Sequence, residues 1–348
     1  MKIPSHTILA IESSCDDTGV AVIRGGEVLS NLVANQSVHS RFGGVVPELA
    51  SRAHQSNIVP TLSLAIKDAE ISVSDIDAVA YTNGPGLNGS LLVGSSFAKS
   101  WAWANDIPTI PVHHMRAHIL AHFLDDTPSP SFPFLCLTVS GGHTQIVKVN
   151  SPSEMEVIGT TLDDAAGEAF DKVAKLIGLP YPGGPLIDKY SKLGDCNRFI
   201  FNPSKVGGLN LSFSGFKTQV LRFLQKNIKE NPDFFSSPNE QNLYDFCASV
   251  QHTIISMLMK KLEVAVDQTG ITSIAIAGGV SANSGLRGAL EIRRQNDDWS
   301  IFIPPIKYCT DNAAMVGIVG VFDYDAGKFG ALTDVPSPRL PDLRNSVE

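Results

Sequence analysis

His114 and His118 stand four positions apart in the stretch HHMRAHILAHF, residues 113 to 123. Four positions is about one helical turn, so on a helix both imidazoles leave from one face. Two neutral imidazoles so placed can ligate one transition metal, and such a site asks for a third donor from elsewhere in the chain. Asp311, in CTDNAAM, is taken as that donor. Other pairings stay open, because His118 and His122 are also four apart and His113 adjoins His114. Surface or capping roles are the ordinary alternative for all of them. A second constellation is Asp16, Asp17 and Gly19 in SSCDDTG. This is an acidic turn with a glycine free to take positive φ, suited to a phosphate-bound cation or polar ligand, or simply to turning the chain.

These residues need elements to position them. TILAIE (7 to 12) and VAVIRGG predict a hairpin with the carboxylates at its tip. A helix is expected from Pro47 to about Glu70, kinked or divided at Pro60. IDAVAYT (76 to 82), the turn NGPGLNGS and a helix over 90 to 104 make a strand, glycine turn and helix, a ligand-binding arrangement through the unpaired N–H groups of the helix start. It is not a P-loop, since G-x-x-x-x-G-K-[ST] is missing. IPTIPV (107 to 112) then delivers the chain to the histidine helix, and TPSPSFP (127 to 133) reads as a linker. FLCLTV, SGGHT and QIVKV repeat the opening pattern of strand, turn, strand. Two halves that open alike predict a duplicated α/β domain with a cleft between the copies: a first lobe over 1 to 126, a second over 134 to 310, and a last helix over 311 to 328 that carries Asp311.

Within the second half, a helix is expected from Leu162 to Ile177 with Glu168 and Asp171 on one face, then a break at YPGGP and helices over 214 to 229 and 240 to 267. SIAIAGGVSAN is a buried strand, a double-glycine turn and a helix start, where Asn283 can meet a nucleobase or ribose, or cap the helix. Ala313, Ala314, Gly317 and Gly320 give the last helix a small-residue face that can press on a neighbour.

Composition narrows the class. The 348 residues are 43% hydrophobic and 18% charged, enough for two packed domains. A formal charge of −8 argues against binding nucleic acid through net charge, so such a partner needs a local basic patch. Arg287, Arg293, Arg294 and Lys307 are candidates for one, or else part of a solvated helix face. Five scattered cysteines without a C-x-x-C pair read as reduced thiols, a cytoplasmic pattern. No apolar run reaches the roughly 18 residues of a membrane span, and MKIPSH is not a signal peptide.

ESSCDDTG, GGVVPELASR, GPGL, HHMRAH, VSGGHT, DDAAGEAFDK, YPGGP, SFSGFKT, AGGVSAN and CTDNAAM, in this order, resemble the motifs of the tRNA N(6)-adenosine threonylcarbamoyltransferase family, formerly described as a glycoprotease. The resemblance implies the two-lobed fold of the actin, hexokinase and heat-shock ATPase superfamily. It also implies transfer of a threonylcarbamoyl group from its adenylate, threonylcarbamoyl-AMP, to the exocyclic amine of the adenosine beside the anticodon of tRNA. By the same resemblance the metal ligands are His114, His118 and Asp311, a donor set that suits Fe(II), with Zn(II) as the alternative. Thr138, Val139, Ser140, Gly141 and Gly142 form the implied ligand-binding segment. Asp171, Gly184, Asp188 and Asn283 match positions that hold the adenylate's nucleoside, and Asp16 and Asp17 match an acidic pair that helps remove a proton from the amine. Implied partners are an adenylate-forming synthase, a shorter non-catalytic homologue and a P-loop ATPase. Two residues depart from the pattern: Arg116 stands where Glu is usual, which leaves a carboxylate behind the metal ligands in question, and Asp17 stands where Glu is frequent. Competing readings are a small-molecule kinase or O-carbamoyltransferase of this fold, an inactive nucleotide-binding scaffold, and a metalloprotease. The last lacks its signature, since Met115 rather than Glu follows His114.

Overall fold

The computed structural model describes residues 3–36, 39, 44–125, 127–202, 206–236, 239–340 and 343. Gly43, which opens GGVVPELASR, and Asp126, the expected end of the first lobe, lie outside the described residues. The chain divides into two compact units, one of Met1–Phe132, Val149–Glu156 and Pro304–Glu348, the other of Pro133–Lys148 and Val157–Ile303.

In the first unit, β1 (Thr7–Glu12) and β2 (Thr18–Arg24) pair antiparallel as the two apolar runs on either side of SSCDDTG predict, with residues 13–17 at the tip. A third strand, β3 (Glu27–Ala34), extends the sheet; its mixture of exposed and half-buried side chains gives no apolar run to read in the sequence. β4 (Ala78–Gly84) joins β1 and β5 (Thr109–His113) joins β4, both in parallel, giving the order β3-β2-β1-β4-β5. β1 is buried throughout because helices cover both faces of the sheet. On one side lie α1 (Pro47–Asp68) and α2 (Asn88–Ala104), whose Ile58, Leu62, Ala98 and Ala102 pack on Leu9, Ile11, Val20 and Tyr81. Pro60 does not divide α1. It and Ser56 face solvent, so water can take the Ser56 carbonyl that a proline cannot bond.

The histidine stretch is shorter as a helix than the spacing suggests. α3 covers only His114–Leu120, with His113 ending β5 and residues 121–123 forming a 3₁₀ turn, and it is buried nearly all round rather than amphipathic. The last helix of the chain, Ala313–Asp325, is buried from Ala313 to Asp323; it packs on β1, β2 and β4 on one side and on α3 on the other. Its small-residue face works as expected. A Cβ at Gly320 would lie 2.8 Å from Ala80 Cβ and 2.9 Å from Ile8 Cγ2, and one at Gly317 would lie 2.9 Å from Ile23 Cδ1.

The second unit repeats the plan. Its sheet is made of β6 (Phe134–Val139), β7 (Thr144–Ser151), β8 (Glu154–Thr160), β9 (Ser273–Ala277) and β10 (Ser300–Phe302), in the order β8-β7-β6-β9-β10, strand for strand the order of the first sheet, except that the β7–β8 turn and its flanks, Val149–Glu156, fall in the first unit. β8 is the counterpart of β3 and is equally obscure in sequence, with five of its seven residues exposed or half-buried. The helices between are α4 (Ala166–Leu176), α5 (Gly184–Ser191), α6 (Ser214–Glu230), α7 (Glu240–Thr269) and α8 (Ser284–Asn296), which makes the chain's last helix α9. α4 starts four residues later than expected, because Asp163 is spent holding the chain ahead of it: its carboxylate accepts from the N–H groups of Phe213 and Ser214 and from Ser212 Oγ.

Glycine substitutions separate the two kinds of position. Gly320→Val should lose about 1–3 kcal/mol or more through overpacking against Ala80 and Ile8. Gly288→Ala, on the exposed side of α8 with nothing within 4 Å of its Cβ, should gain about 0.4–1 kcal/mol. Denaturant melts of the two variants measure both, and a tolerated Gly320→Val would contradict the packing.

Candidate active site

β5 runs straight into α3, so the first helical turn begins at the end of the sheet, and the His113 side chain caps it by accepting from the Met115 N–H at 3.2 Å. That assigns His113 a capping role and leaves His114 and His118 on the face toward Asp311. His122 falls in the 3₁₀ turn, off that face. Asp311 lies just ahead of α9, whose N-cap Asn312 accepts from the Met315 N–H at 3.1 Å. His118 Nε2 is 3.0 Å and His114 Nε2 3.6 Å from Asp311 Oδ1, and one donor atom from each of the three residues lies within 4.8 Å of the others. A cation about 2.1 Å from each donor requires donors roughly 3.0–3.5 Å apart, so the set fits a metal with little movement.

Behind His114 stands a carboxylate that the sequence reading missed. Glu12, at the end of β1 and buried, accepts from the Ser14 N–H at 2.6 Å, from Thr82 Oγ1 at 2.6 Å and from His114 Nδ1 at 3.2 Å. An ionised carboxylate only accepts, so Nδ1 carries the proton and Nε2 is left as the ligand atom, the usual carboxylate–histidine–metal relay. Burial raises the Glu12 pKa, but His114 and Ser14 outweigh it and hold it low. Burial likewise depresses His114, yet the carboxylates of Glu12 and Asp311 push it up to about 9 without a cation present. The carboxylate left in question by Arg116 is therefore supplied from another strand. Arg116 itself points away from the histidine face to Asp323 on α9, in a buried bidentate pair of 2.5 and 2.8 Å, with Nε donating to the Pro152 carbonyl at 2.7 Å. α3 is thus gripped from two sides by the segment bearing Asp311 and Asp323, which fixes its tilt.

The acidic tip sits close by. His54 of α1 braces it, with Nδ1 2.7 Å from Thr18 Oγ1 and Nε2 3.0 Å from the Cys15 carbonyl. Burial first, then the charges of Asp16, Asp311 and Glu12, push Asp17 up to about 7. Burial also pushes the Cys15 thiol well above its ordinary range, so it is no nucleophile at neutral pH. The NGPGLNGS turn is closed by the chain itself rather than open to a ligand: Leu87 N–H donates to the Ser14 carbonyl at 2.7 Å and Gly86 N–H to the Pro338 carbonyl at 3.3 Å.

In the second unit, the segment Thr138, Val139, Ser140, Gly141, Gly142 ends β6 and forms the tip before β7. Neither Gly141 nor Gly142 has positive φ, and a Cβ on either meets nothing within 4 Å. Their value is open space, not backbone freedom. The glycines that are sterically required flank the loop. A Cβ on Gly167 would come 2.5 Å from the Ser140 carbonyl, and one on Gly278, at φ +85°, 2.5 Å from the Val139 carbonyl. Ser140 Oγ also accepts from the His143 N–H at 3.0 Å and the Gly142 N–H at 3.3 Å, so fewer N–H groups face outward than expected.

Asp171 Oδ1 accepts from the Gly183 and Gly184 N–H groups at 2.8 and 3.1 Å and so shapes YPGGP. Asp188 Oδ1 accepts from Ser284 Oγ at 2.7 Å. Asn283 caps α8 through Leu286 N–H and donates to Gln251 Oε1 at 2.7 Å. These four residues are thus tied into the frame around the loop, Gln251 and Ser284 being members the sequence did not single out. The four candidate basic residues are not free: Arg293 pairs with Glu263 and Asp297, Arg294 with Glu291, and Lys307 with Asp125, while Arg287 Nε donates to the Ser281 carbonyl. All five cysteines are free thiols, and among the described residues no helix is long and apolar enough to cross a membrane.

Comparison with known proteins follows the same outline. A family model described as tRNA N6-adenosine threonylcarbamoyltransferase matches residues 27–318. The protein of that name from Christiangramia forsetii is 60% identical over 319 residues, 91% of this chain and 93% of its own. The one from Cytophaga hutchinsonii is 56% identical over 336 residues, 97% and 96% of the two chains. Among solved structures, HypF of T. kodakarensis superposes with a TM-score of 0.61 at 14% identity, over 94% of this chain and 49% of that one. That likeness shows the shared actin- and hexokinase-like fold.

Two measurements probe the first unit. Glu12→Gln should keep the fold and lower the affinity for Fe(II) or Zn(II) by about 10–100-fold, read by chelator competition; unchanged affinity would separate Glu12 from the metal set. Asp17 has a folded pKa of about 7, above its unfolded value near 4. Its stabilising contribution is therefore full below about pH 4 and lost as pH rises through 7. Metal-stripped Asp17→Asn should melt higher than the parent at pH 8 and match it at pH 4, whereas a pH-independent difference would rule out the raised pKa.

Proposed function

The chain belongs to the tRNA N6-adenosine threonylcarbamoyltransferase family, and on that premise we propose that it transfers the threonylcarbamoyl group of threonylcarbamoyl-AMP to the N6 amine of the adenosine beside the anticodon, in tRNAs reading codons that begin with adenine, with release of AMP. The observation that carries this reading is the convergence of His114, His118 and Asp311 inside a chain matched to the family over nearly its whole length. A divalent ion held there, Fe(II) in our reading and Zn(II) as the alternative, supplies Lewis acidity to a carbonyl or phosphate oxygen.

The remaining chemistry belongs to the protein. The adenosine amine is a poor nucleophile because its lone pair is delocalised into the ring, so the acyl group arrives as a mixed anhydride with AMP as leaving group. Asp17, pushed up to about 7, is a stronger base than an ordinary carboxylate and is still partly ionised at neutral pH. It and Asp16 are suited to take the proton the amine loses. Ser140, Gly141 and Gly142 offer an uncrowded turn for the adenylate's phosphate, supported by Thr138 and Val139. Asp171, Gly184, Asp188 and Asn283 are the groups we assign to its nucleoside, with their hydrogen bonds to Gly183, Ser284 and Gln251 fixing the acceptors in place. We also propose a cytoplasmic enzyme, in keeping with five free cysteines, that works with an adenylate-forming synthase, a shorter homologue and a P-loop ATPase.

The test is mass analysis of tRNA nucleosides after incubation with threonylcarbamoyl-AMP and the partner proteins. The expected product is threonylcarbamoyladenosine. His118→Ala should fold but lose most bound metal and most of this activity; a variant that keeps a full equivalent of metal would remove His118 from the ligand set.

A further inference from the structure

Four cations of the second unit are paired with acids. Lys172 pairs with Asp164 and Glu168, Lys192 with Asp188, Arg293 with Glu263 and Asp297, and Arg294 with Glu291. α6 carries four basic residues, Lys217 half-buried near its start and three further along. Arg222, Lys226 and Lys229 are exposed and hold no ion pair among the described residues. Their spacing of four and then three positions puts them on one stripe within about 60° around the helix, opposite the buried Phe216, Val220 and Leu224. The only acid on α6 is Glu230, its last residue. Like charges one turn apart cost a helix about 0.2–0.5 kcal/mol per pair, so the stripe has no folding rationale.

Its position gives it one. The N-terminus of α6 is tied to Asp163 through Ser212, Phe213 and Ser214, directly ahead of α4, and Gly167 of α4 presses on the Ser140 carbonyl of the substrate turn. α6 therefore leaves from beside that turn, with the three cations roughly 12–22 Å along it at 1.5 Å per residue. In a chain of net charge −8, a polyanion must be met by local positive charge, and three exposed cations on one helix face without an ion pair among the described residues supply it.

We propose that the Arg222, Lys226, Lys229 face of α6 is a footing for the phosphate backbone of the tRNA. The proposal rests on the reading of the protein as a tRNA-modifying enzyme. An apolar groove of about 400 Å³ that includes Leu176, Leu221 and Ile228 runs along the same helix, and a protein partner docked there is the rival occupant. Salt dependence separates the two, because each phosphate contact releases counterions.

The experiment measures binding of a tRNA transcript to the full chain from 50 to 200 mM salt. Arg222→Gln/Lys226→Gln/Lys229→Gln keeps good helix formers and should fold as the parent does. It should bind tRNA about tenfold or more weakly at the low-salt end and flatten the log–log slope by about 2–3, at roughly 0.7–0.9 per phosphate contact. Metal content and affinity for threonylcarbamoyl-AMP should not change. Arg222→Lys/Lys226→Arg/Lys229→Arg, which keeps the charges, should restore the slope. An unchanged slope and affinity in the glutamine variant overturns the proposal, including the case where that variant loses a protein partner instead. If the parent chain binds no tRNA at any salt, the functional reading fails and takes the proposal with it.

Discussion

A single buried carboxylate organises the first unit. Glu12 ends the central strand β1, and its three donors come from the hairpin tip at Ser14, from Thr82 in β4 and from His114 in α3. Three separate segments are thereby referred to one point. A carboxylate in that position is costly unless each lone pair is met, so the site tolerates little drift among those segments without losing hydrogen bonds. The Arg116–Asp323 pair does complementary work from the far side of α3, and the glycines of α9 let that helix sit close enough to the sheet to reach both. The candidate metal set is accordingly held by regular elements and their hydrogen bonds rather than by loops alone.

The second unit reaches precision by a different route. The turn proposed to hold substrate is defined by close packing rather than by charge, with Gly167 and Gly278 admitting the backbone of Val139 and Ser140 where any side chain would collide. Asp171, Asp188 and Asn283 each spend about half of their hydrogen-bonding capacity on the frame. A residue can thus match a ligand-contact position and also be structural, and replacing it changes both the contact and its support.

Much of this was legible in the amino-acid order. The histidine spacing, the repeated strand–turn–strand openings and the small face of the last helix rest on periodic or compositional signals, and the structure brings His114, His118 and Asp311 together, repeats the sheet order and packs α9 through its glycines. What stayed hidden did so for physical reasons. β3 and β8 are half-exposed strands without apolar runs. Glu12 lies at the end of an apolar strand, where nothing local marks it as a partner of a histidine 102 positions away. Arg116 looked like a gap in the site because its true partner, Asp323, is 207 positions distant. The GPGL turn looked like a ligand loop, since a glycine needed to pass another part of the chain has the same sequence as one needed to pass a phosphate.

The two sheets share one strand order, yet the corresponding hairpin tips have opposite tastes. The tip of the first, SSCDDTG, carries two carboxylates and favours cations; the tip of the second, SGGHT, carries none and leaves room for an anion. If the halves descend from one ancestral repeat, divergence has split a single ligand-holding device into two specialised ones. Such a split removes redundancy. On the functional reading proposed above, neither tip stands in for the other, and a change at each is expected to remove a different part of the chemistry.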